Sequence, residues 1–398
     1  MTANNNTARK RAFLVLLAAT TASLITPNIA VAKEKERMLH SFGSATDGIV
    51  PAGIARAADG TIYGTTEGGG TYGYGTIYKI APRKSETVLY SFVACCTGNN
   101  PTSGPTLDDK GNLFGTTCCF NYGSGQGMVY ELTKDGAYIV LHDFNTGNEI
   151  GEGAGVTVDK KGNIYGVTYG GGANGDGVAY EITPKGGYQV VHAFAGADGV
   201  GPAGRLLLDK SGNLFGTTWQ GGQYGYGTIY EITPDGTETV LFSFQGQDDG
   251  NTPSGGVVSD KDGNFYGTAS SGGANNYGVL FKFTPSSGAL TVLHAFSYGT
   301  GDGWNPNSPP TVVTNGKGEA ELYGVVLAGG SHNLGIAYKY SASGKYKIIY
   351  NFADNQSGAI YPEGPLVAGS GGKLYGVSNQ GGGDGCIGYG CGVVYELH

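Results

Sequence analysis

The sequence predicts an all-β protein, a seven-bladed β-propeller of four-stranded antiparallel blades whose ring is closed by the N-terminal strand. Three observations carry that reading. A unit recurs seven times, each unit holds four short strand-like runs, and the run missing from the last unit stands at the start of the chain.

The register of the repeat is set by a "YG-T" element that begins at Tyr63, Phe114, Tyr165, Phe215, Tyr266, Tyr323 and Tyr375. A nearly fixed period of this size marks a propeller, solenoid or array. In the fifth unit the four runs are GVVSD (256–260), NFYGTA (264–269), GVLFKFT (278–284) and LTVLHAF (290–296). Runs this short, rich in Val, Ile, Phe and Tyr and bounded by DKDG, SSGGANNYG and PSSG, read as strands and turns. No stretch beyond the first 32 residues keeps helical spacing over three turns. Four strands per unit and seven units give the propeller.

The ends of the chain predict how the ring closes. RMLHSF at 37–42 matches the fourth runs TVLYSF (87–92), TVLFSF (239–244) and TVLHAF (291–296). The chain finishes on a third run, GVVYEL at 392–397. The N-terminal run therefore completes the last blade, which removes two open sheet edges. A β-solenoid needs no such complementary strand.

Composition agrees with a turn-rich β protein. Glycine supplies 75 of 398 residues, mostly at repeated turn positions. Charged residues are only 14%, yet apolar residues recur at strand spacing, so the chain is not a disordered one. One large repeat domain, 33–398, is expected.

Residues 1–32 read as a secretory signal peptide. Arg9, Lys10 and Arg11 are followed by a mainly apolar stretch from Ala12 to Ile25 and a small-x-small site at Ala30-Val31-Ala32. The mature protein is expected in the periplasm or outside the cell, as a monomer, with no membrane span. Its acidic balance argues against nucleic acid as a partner.

Six cysteines in an exported chain favour disulfides. Cys95 and Cys96 precede one unit's first run, and Cys118 and Cys119 follow its second. Both connections open on one face of a propeller, so the two pairs are expected as neighbours. Cys386 and Cys391 share one enlarged loop and can close it locally. Loop staples are the favoured reading. A four-thiolate metal site is disfavoured because adjacent cysteines fit poorly as paired ligands. No metal and no cofactor are expected.

The repeat itself is recognisable in DGNTPSG (249–255), DKSGNLFGTTWQGG (209–222) and GTIYEITPDG (227–236). It resembles the GloVer tandem-repeat family of exported bacterial proteins, across nearly the whole mature chain. The resemblance implies a surface or secreted repeat protein and carries over no catalytic residue. The chain ends at His398 after a strand, without an apolar tail, so a soluble product is expected.

Function is expected on the face that carries the loops between strands two and three and those leading into each first strand. These loops vary most. They present Tyr72, Tyr74, Phe120, Tyr122, Tyr169, Trp219, Tyr224, Tyr226 and Tyr389 in the first set, and Trp304 and Tyr361 in the second. Aromatic rings among Asn, Gln and Asp suit stacking on sugars. The competing reading is that these tyrosines pack over glycine turns within the blades. The two tryptophans are the stronger candidates because neither is read as a repeated apolar position. The proposed ligand-binding residues are Trp219, Trp304, Tyr72, Tyr169, Tyr224 and Tyr389.

Other residues are weaker signals. His40, His142, His192 and His294 share one repeat position on the outermost strands of four blades, so they cannot converge and read as structural. His332 alone lies in a variable loop, with Asp302, Asp384 and Glu67 as possible partners. Arg205 stands where other units have Gly53, Gly104, Gly155 and Gly256, at the mouth of the innermost strand, and can hold a carboxylate or phosphate. The aspartates of the DGxxP motif, Asp47, Asp198, Asp249 and Asp302, read as turn residues rather than calcium ligands. No nucleophile elbow, zinc-protease helix or phosphate loop is present. A carboxylate pair for glycoside cleavage is defined in space rather than in sequence.

Three functions follow. First is a secreted module binding a polysaccharide or a cell-surface ligand. Second is a polysaccharide-degrading lyase or hydrolase, with Arg205 and His332 as catalytic candidates. Third is a structural or protein-interaction propeller with a protein partner.

Overall fold

A computed structural model describes residues 35–43, 46–93, 98–118, 127–144, 154–299, 301–353, 358–383, 386 and 390–398. Residues 1–32, read above as a signal peptide, lie outside them, as do Cys95, Cys96, Cys119, Phe120, Tyr122, Asp384 and Tyr389. The described residues form seven four-stranded antiparallel sheets. Blades 1 to 7 begin at the first strands Ile49–Arg56, Thr106–Leu107, Thr157–Val158, Val200–Leu208, Val258–Ser259, Thr311–Thr314 and Ala359–Ala368. Blade 4 shows the pattern, running through Val200–Leu208, Leu214–Gln220, Thr228–Ile232 and Glu238–Ser243 in spatial order.

Each blade is built around one glycine and one aromatic ring. The glycine of the "YG-T" element pairs across the ladder with an aromatic residue of the third strand, as Gly216 does with Tyr230 and Gly64 with Tyr78. The ring lies flat over the glycine, where any Cβ would collide with it. Tyr78, Tyr130, Tyr180, Tyr230, Tyr338 and Tyr395 are thereby fully buried, and Phe281 takes the place in blade 5. A bare glycine under a ring lets the sheet twist without opening a void.

The blades are joined by a second aromatic position. Phe42, Phe92, Phe144, Phe194, Phe244, Phe296 and Phe352, each just after a fourth strand, are all buried. Each meets the third-strand ring of the following blade edge-on, at centroid distances such as 4.9 Å for Phe194–Tyr230 and 5.2 Å for Phe352–Tyr395. Such pairs contribute about 0.5–1.5 kcal/mol each beyond the area they bury. Proline adds a third join. Pro253, at the start of blade 5, sits where a Cβ on Gly227 of blade 4 would lie within 2.7 Å of its ring.

The ring closes as the sequence predicts. Glu36–Ser41 pairs antiparallel with Val393–Leu397 and forms the fourth strand of blade 7. Phe42 then packs against Tyr78 of blade 1 at 5.1 Å, so the seventh inter-blade contact matches the other six. Lys35 N donates to the His398 carbonyl at 2.9 Å, which places the two described ends side by side.

The hairpin aspartates behave as turn residues on the face away from the variable loops. Asp209 Oδ1 accepts from the amides of Ser211 and Asn213, both at 2.8 Å. Asp108, Asp159 and Asp260 repeat the contact.

Candidate functional site

The variable-loop face carries a ring of seven equivalent positions, one at the end of each second strand: Glu67, Cys118, Tyr169, Trp219, Ser270, Leu327 and Asn379. Their equivalence follows from the ladders. Each comes one residue after a partner of the first residue of a third strand, as Thr218 is of Thr228 and Ser378 of Val393. The scaffold is the same under all seven, so only the side chain differs.

On blades 3 and 4 this ring is aromatic. Tyr169 and Trp219 are 40% and 38% exposed and meet edge-to-face at 5.3 Å. Tyr169 lies over Gly201 at the start of blade 4, so its inner face is packed and its outer face is open. Tyr226 lies over Gly246 in the same way. Packing over glycine turns and exposure to a ligand therefore coexist in one residue. Tyr72 and Tyr224 are exposed at loop tips.

A second aromatic cluster was not singled out in the sequence. Tyr277 stacks on Tyr298 at 5.7 Å, and Tyr298 reaches Trp304 at 6.3 Å. Tyr298, 61% exposed, is the most open large apolar residue described. Its signal was present, because Tyr277 and Tyr298 both sit in variable loops. Trp304 is half-buried and its indole Nε1 is buried without a hydrogen-bond partner. By its distance from the following proline it aligns with Ile49, Asn99, Val200, Asn251 and Ile360, a place that is apolar in some units and polar in others.

Blades 7 and 1 make the contrasting side. Glu67 and Glu363 approach closely enough that Glu363 helps raise the Glu67 pKa to about 7, with burial the larger cause. Burial also raises Glu363, partly offset by a hydrogen bond with Asn379. One Glu363 carboxylate oxygen is buried and unpartnered.

Glu363 also faces the central channel, a 640 Å³ cavity lined by residues in or just before the first strands of all seven blades. Arg205 crosses this channel. Its guanidinium passes beside Gly155 of blade 3 and donates to the Gly104 carbonyl of blade 2 at 2.9 Å. Water reaches the side chain, yet protein surrounds it, and that crowding lowers its pKa from the ordinary value. The side chain keeps its path to water, and the guanidinium stays charged. Ser308, 6% exposed, and Ser103 line the same channel with hydroxyls that lack partners.

A larger groove of 1250 Å³ opens between the hairpins of blades 3 and 4, by Asp159 and Asp209. It lies on the opposite face, and these carboxylates are spent on turn amides, so its size does not make it the site.

Strain marks the loop face as well. The residue before the blade-opening proline has positive φ in Val50 (55°), Asn100 (49°), Thr252 (58°), Asn305 (61°) and Tyr361 (56°). Such backbone is costly for a β-branched or bulky residue, and it clusters at binding sites.

The structure separates the two catalytic candidates. Arg205 is in the channel, whereas His332 is exposed at a blade 6 loop tip. Asp302, one partner considered for His332, is already bound by His294 Nε2 at 2.9 Å and the Tyr346 hydroxyl at 3.0 Å. The third partner, Glu67, lies on blade 1 beside Glu363.

The four aligned histidines do not converge on each other, as expected. Three of them nevertheless reach an aspartate of the following DGxxP turn. His192 Nε2 lies 3.0 Å from Asp198, His294 Nε2 2.9 Å from Asp302, and His40 Nε2 3.6 Å from Asp47. The same aspartates hold the turn, Asp198 accepting from the Ala195 amide at 2.8 Å.

Cys386 and Cys391 form a disulfide with Cα atoms 5.1 Å apart, as the shared loop predicts. Cys118 is the one member of the other four that lies among the described residues.

The family model for the Gloeobacter/Verrucomicrobia repeat matches residues 25–206 and 119–319. No curated protein matches the sequence. Among solved structures, the chain is similar to the extracellular domain of the putative one component system BT4673 from B. thetaiotaomicron. The TM-score is 0.54 at 10% identity, over 91% of this chain and 40% of that one. It is also similar to the S511A mutant of puromycin hydrolase complexed with PGG, with a TM-score of 0.51 at 14% identity, over 83% of this chain and 50% of that one. The chain thus spans half or less of either protein, and the likeness is one of fold. No helix among the described residues is long and apolar enough to cross a membrane.

Proposed function

The chain belongs to the Gloeobacter/Verrucomicrobia repeat family, and we propose that it is an exported module that binds a polysaccharide or cell-surface glycan on its variable-loop face. The observation that carries this reading is the Tyr169–Trp219 pair, two open rings in edge contact at equivalent positions of adjacent blades. Ring faces stack on the C–H faces of sugars, and the Asn, Gln and Glu side chains of neighbouring loops hydrogen-bond to hydroxyls. The Tyr277–Tyr298–Trp304 cluster adds a second aromatic surface on the loops of blades 5 and 6. Export is supported by the basic-apolar-small pattern of residues 1–32 and by the Cys386–Cys391 disulfide.

The test is electrophoresis of the mature protein through native gels that contain a panel of polysaccharides. Retardation by one polymer is expected, and Trp219→Ala or Tyr169→Ala should weaken it about tenfold, or about 1.4 kcal/mol, at unchanged melting temperature. Equal retardation of wild type and both variants would overturn the aromatic-platform reading. No retardation across the panel would transfer the reading to a protein partner.

One observation favours a second reading, a polysaccharide-degrading enzyme. Glu67 and Glu363 are two interacting carboxyls in a partly dry site, with Glu67 held near pH 7. Pairs of this kind divide acid and base roles in glycoside cleavage. Its mark is shortening of the retained polymer, lost in Glu67→Gln and Glu363→Gln.

A further inference from the structure

The outer seams between blades repeat one contact with different residues. A side chain near the end of one blade's fourth strand meets the side chain that opens the next blade's fourth strand. The opening residues are Glu86, Tyr138, Tyr188, Glu238, Leu290, Tyr346 and, in blade 7, Glu36, all equivalent by ladder register. Where a tyrosine opens the strand, the seam is closed. His142 stacks on Tyr188 at 3.8 Å, His294 on Tyr346 at 3.6 Å, and the Tyr346 hydroxyl donates to Asp302. Where tyrosine meets glutamate, the seam is closed too. Glu36 accepts from the Tyr350 hydroxyl and from the Ala359 amide, both at 2.8 Å, so both its oxygens are used.

Only two seams combine histidine with glutamate, and neither is closed. In one, His192, Asp198 and Glu238 bring one nitrogen and two carboxylate oxygens within 4.8 Å of one another. In the other, His40 Nε2 lies 3.6 Å from Asp47, and Glu86 does not complete a three-donor cluster with them. In both, Oε1 of the glutamate is buried and has no hydrogen-bond partner, and so is His40 Nε2. A glutamate facing an aspartate with an orphaned oxygen is a poor structural contact. It is a good ligand set.

We propose that the seam His192–Asp198–Glu238 binds a divalent transition-metal ion of the zinc class. Zinc lies about 2.0–2.2 Å from imidazole nitrogen and carboxylate oxygen, which sets neighbouring donors about 3 Å apart. The His192–Asp198 separation of 3.0 Å already meets that edge, and rotation of the Glu238 carboxyl supplies the third donor. One imidazole with two carboxylates favours zinc, manganese or iron over a purely oxygen-binding calcium ion. The half-exposed seam leaves room for water in the remaining positions. Such an ion ties blade 3 to blade 4, and its binding energy adds to folding.

The experiment uses the mature, untagged, oxidised protein, stripped with EDTA, incubated with zinc alone and passed through a desalting column. Metal is counted by plasma mass spectrometry and the melting temperature is read in parallel. One zinc ion per chain is expected, with a rise in melting temperature that EDTA reverses. Glu238→Tyr copies the natural Tyr346 seam and should lose the ion and the thermal response. Glu238→Gln repeats the test at nearly unchanged shape, should the tyrosine variant fold poorly. A stripped wild type that takes up no zinc overturns the proposal, as does equal uptake by wild type and the Glu238 variants.

Discussion

Removing the hydroxyl of Tyr338 should stabilise the protein. This ring is fully buried and its oxygen has no hydrogen-bond partner. Burial alone pushes its pKa far up, with no charged neighbour contributing, so the group is a neutral phenol in an apolar place. A hydroxyl buried without a partner costs about 1–3 kcal/mol relative to water. Phenylalanine keeps the ring over Gly324 and its edge contact with Phe296 at 5.7 Å, and the void left by one oxygen is small. Blade 5 already makes the substitution with Phe281, which is fully buried between the same neighbours. Tyr338→Phe should therefore gain about 1 kcal/mol. Tyr130→Phe should gain as much, since burial is the sole cause of its shift too. The two rings lie in different blades without shared partners, so their effects should add to about 2 kcal/mol. Urea unfolding reads the gain as a higher midpoint at unchanged slope. A loss of 1 kcal/mol or more, as an order of magnitude, would refute the reasoning, because it would mean that ordered water completes these hydroxyls.

Two further outcomes follow from the same geometry. Burial, as the largest cause, holds Glu67, Glu86 and Glu238 up at about 7, against an ordinary value of 4.5. Each binds more protons folded than unfolded between those values, so stability should be greatest below about pH 4.5 from this source and decline as pH rises toward 7. Melting temperatures of EDTA-treated protein across that range check the sign, and the triple Glu→Gln variant should flatten the slope; an unchanged slope would reject the assignment. Deleting residues through Phe42 removes the strand Glu36–Ser41 and the contact of Phe42 with Tyr78, leaving Val393–Leu397 as an open edge. The product should aggregate or melt far below the full chain, and a monomer of equal melting temperature by size exclusion would show that closure contributes little.

The sequence made the scaffold legible because scaffold residues repeat. The glycine of "YG-T", the third-strand aromatic and the phenylalanine after each fourth strand hold the same places in every unit, so the blades and their register follow from alignment. Closure was legible because RMLHSF carries the same phenylalanine as the other fourth runs. The seams were not. His192 and Glu238 are 46 residues apart, as are His40 and Glu86, and belong to different blades. Alignment showed rightly that the histidines avoid one another, but it compares a residue with its copies and not with the next blade. The register of Trp304 was hidden for a related reason. Its unit is the long one, and only the count back from Pro306 shows its equivalence to Val200 and Ile360. The Glu67–Glu363 pair was hidden because blades 1 and 7 are adjacent only after the ring closes.

That contrast also says where a binding site can exist. A ring of identical blades offers seven equal and weak places to a ligand, because every contact on one blade is repeated on the next. A single site needs residues that occur once. The scaffold positions therefore cannot supply it, however buried or well packed they are. The end of the second strand can: seven backbones there are alike, and the side chains run from Glu67 through Tyr169 and Trp219 to Asn379. Arg205 breaks the symmetry of the channel in the same way, replacing a glycine found in four other blades with a charge that reaches two blades across. The side of the ring that bears the aromatic pair and the side that bears the carboxyls are chemically opposite. A ligand with one apolar face and one face of hydroxyls or amines satisfies both at once, which is the property that separates a glycan from a flat protein surface.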